Sequence, residues 1–370
     1  MIKVLHILTD SNIGGAGKWV ETYLKSYDKT LIEPALVIPD GSAVKDLLDD
    51  VDAKVMEADI APDKSLDFKS IGVIRKIIKA GDYDIVHAHG SASARIASKF
   101  LCKTVFTKHT MSTIKGGVYG LFEKLLYRLL GGYAIAVSKT AYNNLIDLGI
   151  KPSKISIVYN GVSDIKIPTA EQKLDCKKSF GVDANKVLVG IVARFEKEKD
   201  YPTFLNAAKI ALSHNDKIAF LLCGAGSQLI PMRQYARRLG IQSSCVFVGQ
   251  LVDIDRAYHA MDIYCITSIV ESFGLTLAEA FAAGVPAVAT KAAGLCEVAG
   301  DEQTALMCDI GNAEQVASSI LKIAGDNQFA KSLAERARIR YEDNFADTTF
   351  SHNLEAVYKK IVANKKGSDK

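Results

Sequence analysis

The sequence has no C-x-x-C pair; its seven cysteines are odd in number and scattered. That excludes the usual structural zinc spacings and a paired disulfide framework, and it fits a reducing compartment. No apolar run approaches the roughly 18 residues of a membrane span. The opening stretch MIKVLHILTD is too short in apolar residues for a secretory leader and lacks a small-residue cleavage site. The expected location is therefore cytoplasmic. Excess charge is also missing: the formal net charge is +4, and no dense basic run interleaves with aromatics. A nucleic-acid partner is not expected on that basis, although mild attraction to an anionic membrane face is allowed.

What is present is an ordinary globular composition, 48% hydrophobic and 24% charged over 370 residues, enough for about two domains. Short apolar runs alternate with amphipathic stretches. KVLHIL, EPALVIP, AKVMEAD, YDIVHAH, KTVFTKH, YAIAVS and KISIVYN read as strands in the first half, and KVLVGIVARF, IAFLLCG, CVFVG, IYCIT and VPAVAT in the second. Between them KWVETYLKSY, IGVIRKIIKA, VYGLFEKLLYRLL, YPTFLNAAKIAL and AEQVASSILKIA space apolar residues at i, i+3, i+4. Continuous apolar strands separated by helices imply parallel sheets covered on both faces. The halves resemble each other, and the polar stretch at residues 164–175, with Pro168, reads as a linker. The expected architecture is α/β: two doubly wound domains, residues 1–165 and 166–347, facing a cleft. A last helix over about 348–370 ends in a basic tail.

IGGAGKWV, residues 13–20, follows the first strand and suggests an anion-receiving loop. It is not a P-loop, because Asn12 stands at the first glycine position and Trp19 follows Gly17-Lys18. It is a poor dinucleotide fingerprint, because Gly15-Ala16-Gly17 is followed by Val20 where a small residue belongs, although Asp40 follows the next strand. What survives is glycine backbone beside a helix start, which presents free N–H groups to an anion, or else a plain tight turn.

ESFGLTLAEAFAAG, Glu271 to Gly284, is the most informative run. Glu271 and Glu279 are eight residues apart, about 12 Å along a helix. That approximates the reach from a sugar across a diphosphate to a ribose, and carboxylates accept hydrogen bonds from vicinal hydroxyls. The alternative is an amphipathic helix with two solvated glutamates. Arg194 and Lys199, after the strand KVLVGIVARF, are two cations suited to a diphosphate leaving group. The alternative is a charged loop in which Glu196 and Glu198 pair with Lys197 and Lys199. His109, His89 and the GAGS loop at Gly224 stand at further strand ends, and a single histidine is more often structural than catalytic. Asp50/Asp52, Asp82/Asp84 and Asp253/Asp255 form D-x-D triplets, but their placement suggests no metal site. The helix Val118–Leu130, flanked by Lys115, Lys124 and Arg128, suits either a sheet-covering crossover, the commoner case, or a membrane surface.

Taken in order, the GGA loop, DIVHAH, TKHT, AVS, VYNGV, Arg194 with Lys199, GAGS, FVGQL, ESFGLTLAEAFAAGVPAVAT and AAGLCE resemble the retaining glycosyltransferases of family 4, which have the GT-B fold. The resemblance spans nearly the whole chain. It implies a nucleotide-sugar donor, with a UDP-hexose the usual case, and a glycan or lipid-linked acceptor in cell-surface polysaccharide or glycolipid assembly. It implies no metal and no cofactor. Arg194 and Lys199 would hold the diphosphate, Glu271 the sugar hydroxyls and Glu279 the ribose. The backbone of Phe273, Gly274, Leu275 and Thr276, with Gly224, would contact sugar and phosphate. Gly14 and Gly15 would approach the diphosphate, His109 would lie near the sugar, and the last helix would return to the first domain. Departures from the family pattern are Ala193, Asp200 and Ala293 at positions where glycine is usual, and Thr110 after His109. A sugar-nucleotide epimerase or hydrolase on the same fold, and a catalytically silent partner in glycan assembly, are the competing functions.

Overall fold

In the computed structural model the chain is described over residues 1–109, 117–300 and 303–363, the side chains of 117–123 excepted. Lys115, Thr110 and the basic tail beyond 363 lie outside the described residues. The chain divides into two compact units, Met1–Gly161 with Asp347–Lys370, and Val162–Ala346.

The first unit carries β1 (Ile2–Leu8), β2 (Ile32–Pro39), β3 (Lys54–Ala58), β4 (Ile85–His89), β5 (Lys103–Lys108), β6 (Tyr133–Ala136) and β7 (Ile155–Ile157). Every pairing is parallel, and the sheet order is β3-β2-β1-β4-β5-β6-β7. Continuous apolar strands follow from this, because helices cover both faces. Val4, Leu8, Trp19 and Tyr23 fill one face; Leu5, Ile7, Val86 and Phe106 fill the other. The helix Asp347–Ala363 closes the first face with Phe350, Leu354, Tyr358 and Ile361.

The second unit carries β8 (Val187–Val192), β9 (Ile218–Cys223), β10 (Cys245–Gly249), β11 (Ile263–Ile266), β12 (Ala287–Thr290) and β13 (Leu306–Cys308), all parallel, in the order β10-β9-β8-β11-β12-β13. Each sheet is doubly wound. The order reverses between β1 and β4 in one and between β8 and β11 in the other, and loops leaving the carboxyl ends diverge at such points. The entry and exit of the second unit run side by side, the Val162 N–H donating to the Phe345 carbonyl at 2.8 Å.

Two expectations change. Residues 170–175, read as linker, open a helix, Ala170–Ser179, because Thr169 and Gln172 form a capping box at its start. The crossover helix, Gly117–Leu130, shows no fully buried side chain in its described half, and Leu125 and Leu129 are exposed. A wholly sheet-covering role does not fit that half, since those two leucines point to solvent.

Asp262 fastens the Ala170–Ser179 helix to the sheet. Its Oδ2 accepts from the Leu188 amide at 2.7 Å and from Lys177 Nζ at 2.6 Å, and its Oδ1 meets Lys173 Nζ at 2.9 Å. Burial pushes its carboxyl up, but Lys173, the Leu188 amide and Lys177 more than offset that and hold it below the usual range. Asp262→Ala would leave Lys177 buried without its counter-charge. The expected cost is about 3–5 kcal/mol, seen as a fall of roughly 10 °C in Tm. A lowered folded-state pKa stabilises above the unfolded value of about 3.9 and is lost as pH falls through the folded value. The difference between wild type and variant should therefore shrink below about pH 4.

Candidate active site

In the second unit, the loops leaving β8 and β11 lie at the reversal of strand order. β8 runs on through Ala193, and Phe195 turns the chain inward by stacking on Tyr201 at 3.9 Å. Arg194 points outward, 74% exposed, with Nη2 donating to Glu198 Oε1 at 3.0 Å. Asp200 sits in the left-handed region at φ +48 and caps the helix Tyr201–His214 through Thr203. The turn before it places Lys199 indoors, where Nζ donates to Glu271 Oε2 at 2.5 Å, the two side chains 12% and 18% exposed.

Glu271 is held from several sides. Ser268 Oγ donates to the same Oε2 at 3.1 Å, and the Gly294 amide donates to the Glu271 carbonyl at 3.1 Å. A Cβ on Gly294 would stand 2.6 Å from that carbonyl oxygen and 2.6 Å from the Phe273 nitrogen. Only glycine lets the AAGLCE turn press against the Glu271–Phe273 backbone.

Gly274, at φ +107, caps the helix Leu275–Ala282 without any side-chain cap. The Leu277 amide donates to the Gly274 carbonyl at 3.0 Å, and the Leu275 and Thr276 amides are left for an external acceptor. Glu271 is not on the helix, so the span of about 12 Å drawn from eight helical residues does not apply; only the step from Leu275 to Glu279 is helical, about 6 Å. Glu279 is half-buried and accepts from Tyr258 Oη at 2.6 Å, while Tyr264 Oη donates to Thr276 Oγ1 at 2.7 Å. Burial, and then the carboxylate of Glu279, raise the Tyr258 hydroxyl pKa well above its ordinary value, which keeps it a donor. Neither glutamate is simply solvated, and Lys199 pairs with Glu271 rather than with a loop neighbour. Glu196 is taken by Ser227, through the amide at 3.1 Å and Oγ at 2.8 Å.

Gly224, at φ +140, serves the backbone: a Cβ there would fall 1.9 Å from the Ala193 carbonyl oxygen. It seats the GAGS loop against the strand end that carries Arg194. Tyr258, Tyr264 and Ser268 are the site residues that sequence reasoning missed. Their signals were weak, a tyrosine in a short helix, another inside a strand and a serine before a glutamate.

The first unit holds the remaining candidates. Gly14 caps the helix Gly15–Ser26, again without a side-chain cap, and a Cβ on Gly15 would meet nothing within 4 Å. Packing therefore does not demand glycine at residue 15. Asp10 stands beside this loop, its carboxyl pushed up by burial and by Asp63. His109 follows β5, and its Nε2 meets His89 Nδ1 at 3.1 Å; His89 Nε2 meets His6 Nδ1 at 3.1 Å. His87 stacks on His89 at 4.4 Å and is held by Thr107 Oγ1 at 2.7 Å and Tyr358 Oη at 2.6 Å. Burial lowers the His109 pKa to about 4 and the His6 pKa to about 3, so these rings are neutral near pH 7. His6, His87 and His89 are close enough to share a metal ion, but both nitrogens of His87 and His89 and one of His6 already have hydrogen-bond partners. None of the D-x-D pairs appears among the groups of described residues that could hold an ion.

Comparison with known proteins follows the same division. The family model "Glycosyltransferase Family 4" matches residues 13–164, and "Glycosyl transferases group 1" matches residues 172–340. The chain is 26% identical over 302 residues to the N-acetyl-alpha-D-glucosaminyl L-malate synthase of Bacillus anthracis, covering 79% of this chain and 78% of that one. It is 22% identical over 349 residues to the UDP-Gal:alpha-D-GlcNAc-diphosphoundecaprenol alpha-1,3-galactosyltransferase of Escherichia coli, covering 89% of each. Among solved structures it is similar to Anabaena Alr3699/HepE in complex with UDP and glucose, with a TM-score of 0.80, 20% identity, and coverage of 97% of this chain and 100% of that one. Two doubly wound sheets of this kind make up the GT-B fold, and the chain belongs to the family 4, or group 1, glycosyltransferases.

Proposed function

We propose that this protein transfers a hexose-type sugar, with retention of configuration, from a UDP-sugar to a hydroxyl of an acceptor that also carries an anionic group, in cell-surface glycan or glycolipid assembly. The observation that carries this is the Lys199–Glu271 pair beside an uncapped helix start, with Glu279 one turn further along. A cation paired with a carboxylate, and free helix-start amides four residues beyond that carboxylate, suit a sugar diphosphate. The donor is read as UDP-linked because the Escherichia coli relative is a UDP-Gal transferase and the Anabaena protein was solved with UDP and glucose. The acceptor is read as anionic because the relatives' names specify L-malate and a diphosphoundecaprenol.

Departure of the nucleotide leaves negative charge on the diphosphate. Lys199, Arg194 and the amides of Leu275 and Thr276 stabilise it; the arginine does so by swinging from Glu198. Binding of the phosphate releases Lys199 from Glu271, whose freed carboxylate then accepts from sugar hydroxyls. The acceptor hydroxyl attacks on the face the nucleotide leaves, and its proton passes to a departing phosphate oxygen. No protein carboxylate acts as the base, and no metal is required. This is stabilisation by groups already in place. Glu279, fixed by Tyr258, holds the ribose. His109, neutral, offers the sugar a hydrogen bond, and Gly14 and Gly15 leave their loop's backbone open. Association with a membrane face would use Leu125 and Leu129 with Lys124 and Arg128.

Thermal shifts with UDP, GDP, ADP, CDP, ATP and NAD should single out UDP. At about 100 times its dissociation constant the gain is roughly 2.7 kcal/mol, and Glu279→Ala should remove most of it. A shift with NAD or ATP alone, or with no nucleotide, would sink the donor assignment. Lys199→Met should lower kcat by about 10²–10³-fold, or roughly 2.7–4 kcal/mol. Glu271→Ala should reduce turnover far more than UDP affinity, and a product assay gives the anomeric configuration. Sugar release to water without transfer would favour a hydrolase.

A further inference from the structure

Arg95, in the helix Ala92–Ser98 of the first unit, is 4% exposed, and no carboxylate among the described residues pairs with it. Its guanidinium lies 3.8 Å from the centre of the Phe106 ring and 4.9 Å from that of Tyr127. Nη2 donates to the Tyr127 carbonyl at 3.3 Å and the Gly131 carbonyl at 2.9 Å, which caps the end of the crossover helix Gly117–Leu130. Nε is buried and has no partner. Capping therefore accounts for Nη2 and leaves the buried Nε without an explanation. A buried cation without an anion is costly, and burial lowers its pKa to about 10.

The same arginine lines a cavity of about 300 Å³ with Gly90, Ser91, Thr107, Lys108 and Leu126. That is the size of small-molecule pockets. The cavity sits at the carboxyl ends of β4 and β5, next to His109 in sequence and beside the β1/β4 reversal. Lys108 adds a second positive charge. Ser91 Oγ accepts from the Ala94 amide at 3.2 Å, which leaves its own hydrogen for a ligand. Leu126, Tyr127 and Leu130 make the opposite wall apolar. Two cations, a hydroxyl and an apolar wall fit an oxyanion attached to a less polar body, because a guanidinium edge matches phosphate or carboxylate oxygens.

We infer that the Arg95 cavity binds the phosphate or carboxylate group of the acceptor and so anchors it in the first unit. The acceptor's identity as a transferase substrate rests on the function proposed above; the oxyanion site does not. Arg95 here is a binding residue, remote from bond making.

The test is calorimetric titration of the full chain with inorganic phosphate and with L-malate, and co-sedimentation with phosphatidylcholine vesicles carrying a prenyl diphosphate. At least one probe should bind. Arg95→Met should weaken it tenfold or more, and Arg95→Lys by less. Leu126→Trp, which fills the cavity and leaves Arg95 in place, should abolish binding and guards against a folding defect in Arg95→Met. Binding of the vesicles alone assigns a lipid diphosphate; binding of phosphate or malate assigns a soluble acceptor. Failure of all three probes at millimolar concentration, or binding that survives Leu126→Trp, overturns the inference. UDP titration of the wild type runs alongside: loss of UDP binding with oxyanion binding intact would remove the transferase reading and leave the site.

Discussion

Parallel pairing is the constraint from which the rest follows. When every strand of a sheet runs the same way, every carboxyl end reaches the same edge, and chemistry-bearing loops can gather only there. The reversal of order then separates two neighbouring loops. In the second unit those loops carry Arg194 with Lys199 on one side and Ser268 with Glu271 on the other. In the first they carry the Gly14–Gly15 turn and the Gly90–Ser91 turn. Glycine is required where backbones touch: Gly224 against Ala193 and Gly294 against Glu271 are packing positions first.

The electrostatics differ between the two units. In the second, a mostly buried lysine and glutamate neutralise each other, and an anionic ligand must compete for the lysine. In the first, Arg95 is buried with no such partner among the described residues. A pre-formed pair guards against indiscriminate anions, whereas Arg95, behind the Phe106 and Tyr127 rings, relies on the apolar wall of its cavity for selectivity. The neutral rings of His6, His87, His89 and His109 contribute no charge to that region near pH 7, because burial lowers each of them.

Much of this was legible in the sequence, for physical reasons. Most strands write themselves as apolar runs, so twelve of the thirteen among the described residues stood out; β13, Leu306–Cys308, did not. The helix Ala170–Ser179 was missed because just one of its residues, Lys177, is buried; it rests on a cap and an ion pair instead of an apolar stripe. Lys199 and Glu271 were legible as charged residues near glycines, but their partnership spans 72 positions and exists only once β8 lies beside β11. Tyr258 on Glu279 was hidden for the same reason. Arg95 looks in sequence like any helical arginine; its distinction is burial, which no local pattern records.

The chain leaves the first unit at Gly161 and returns at Asp347. One face of the first sheet is therefore closed by Phe350, Leu354, Tyr358 and Ile361, which are made only after the whole of the second unit. During synthesis the second unit can finish folding while the first still waits with that apolar face uncovered. The nascent protein is then an already folded second unit behind an incomplete first unit, and the wait is set by translation of the intervening 185 residues, Val162 to Ala346, rather than by the folding rate of the sheet. Over that interval the uncovered face around Trp19 and Tyr23 is the surface most exposed to aggregation or to a chaperone.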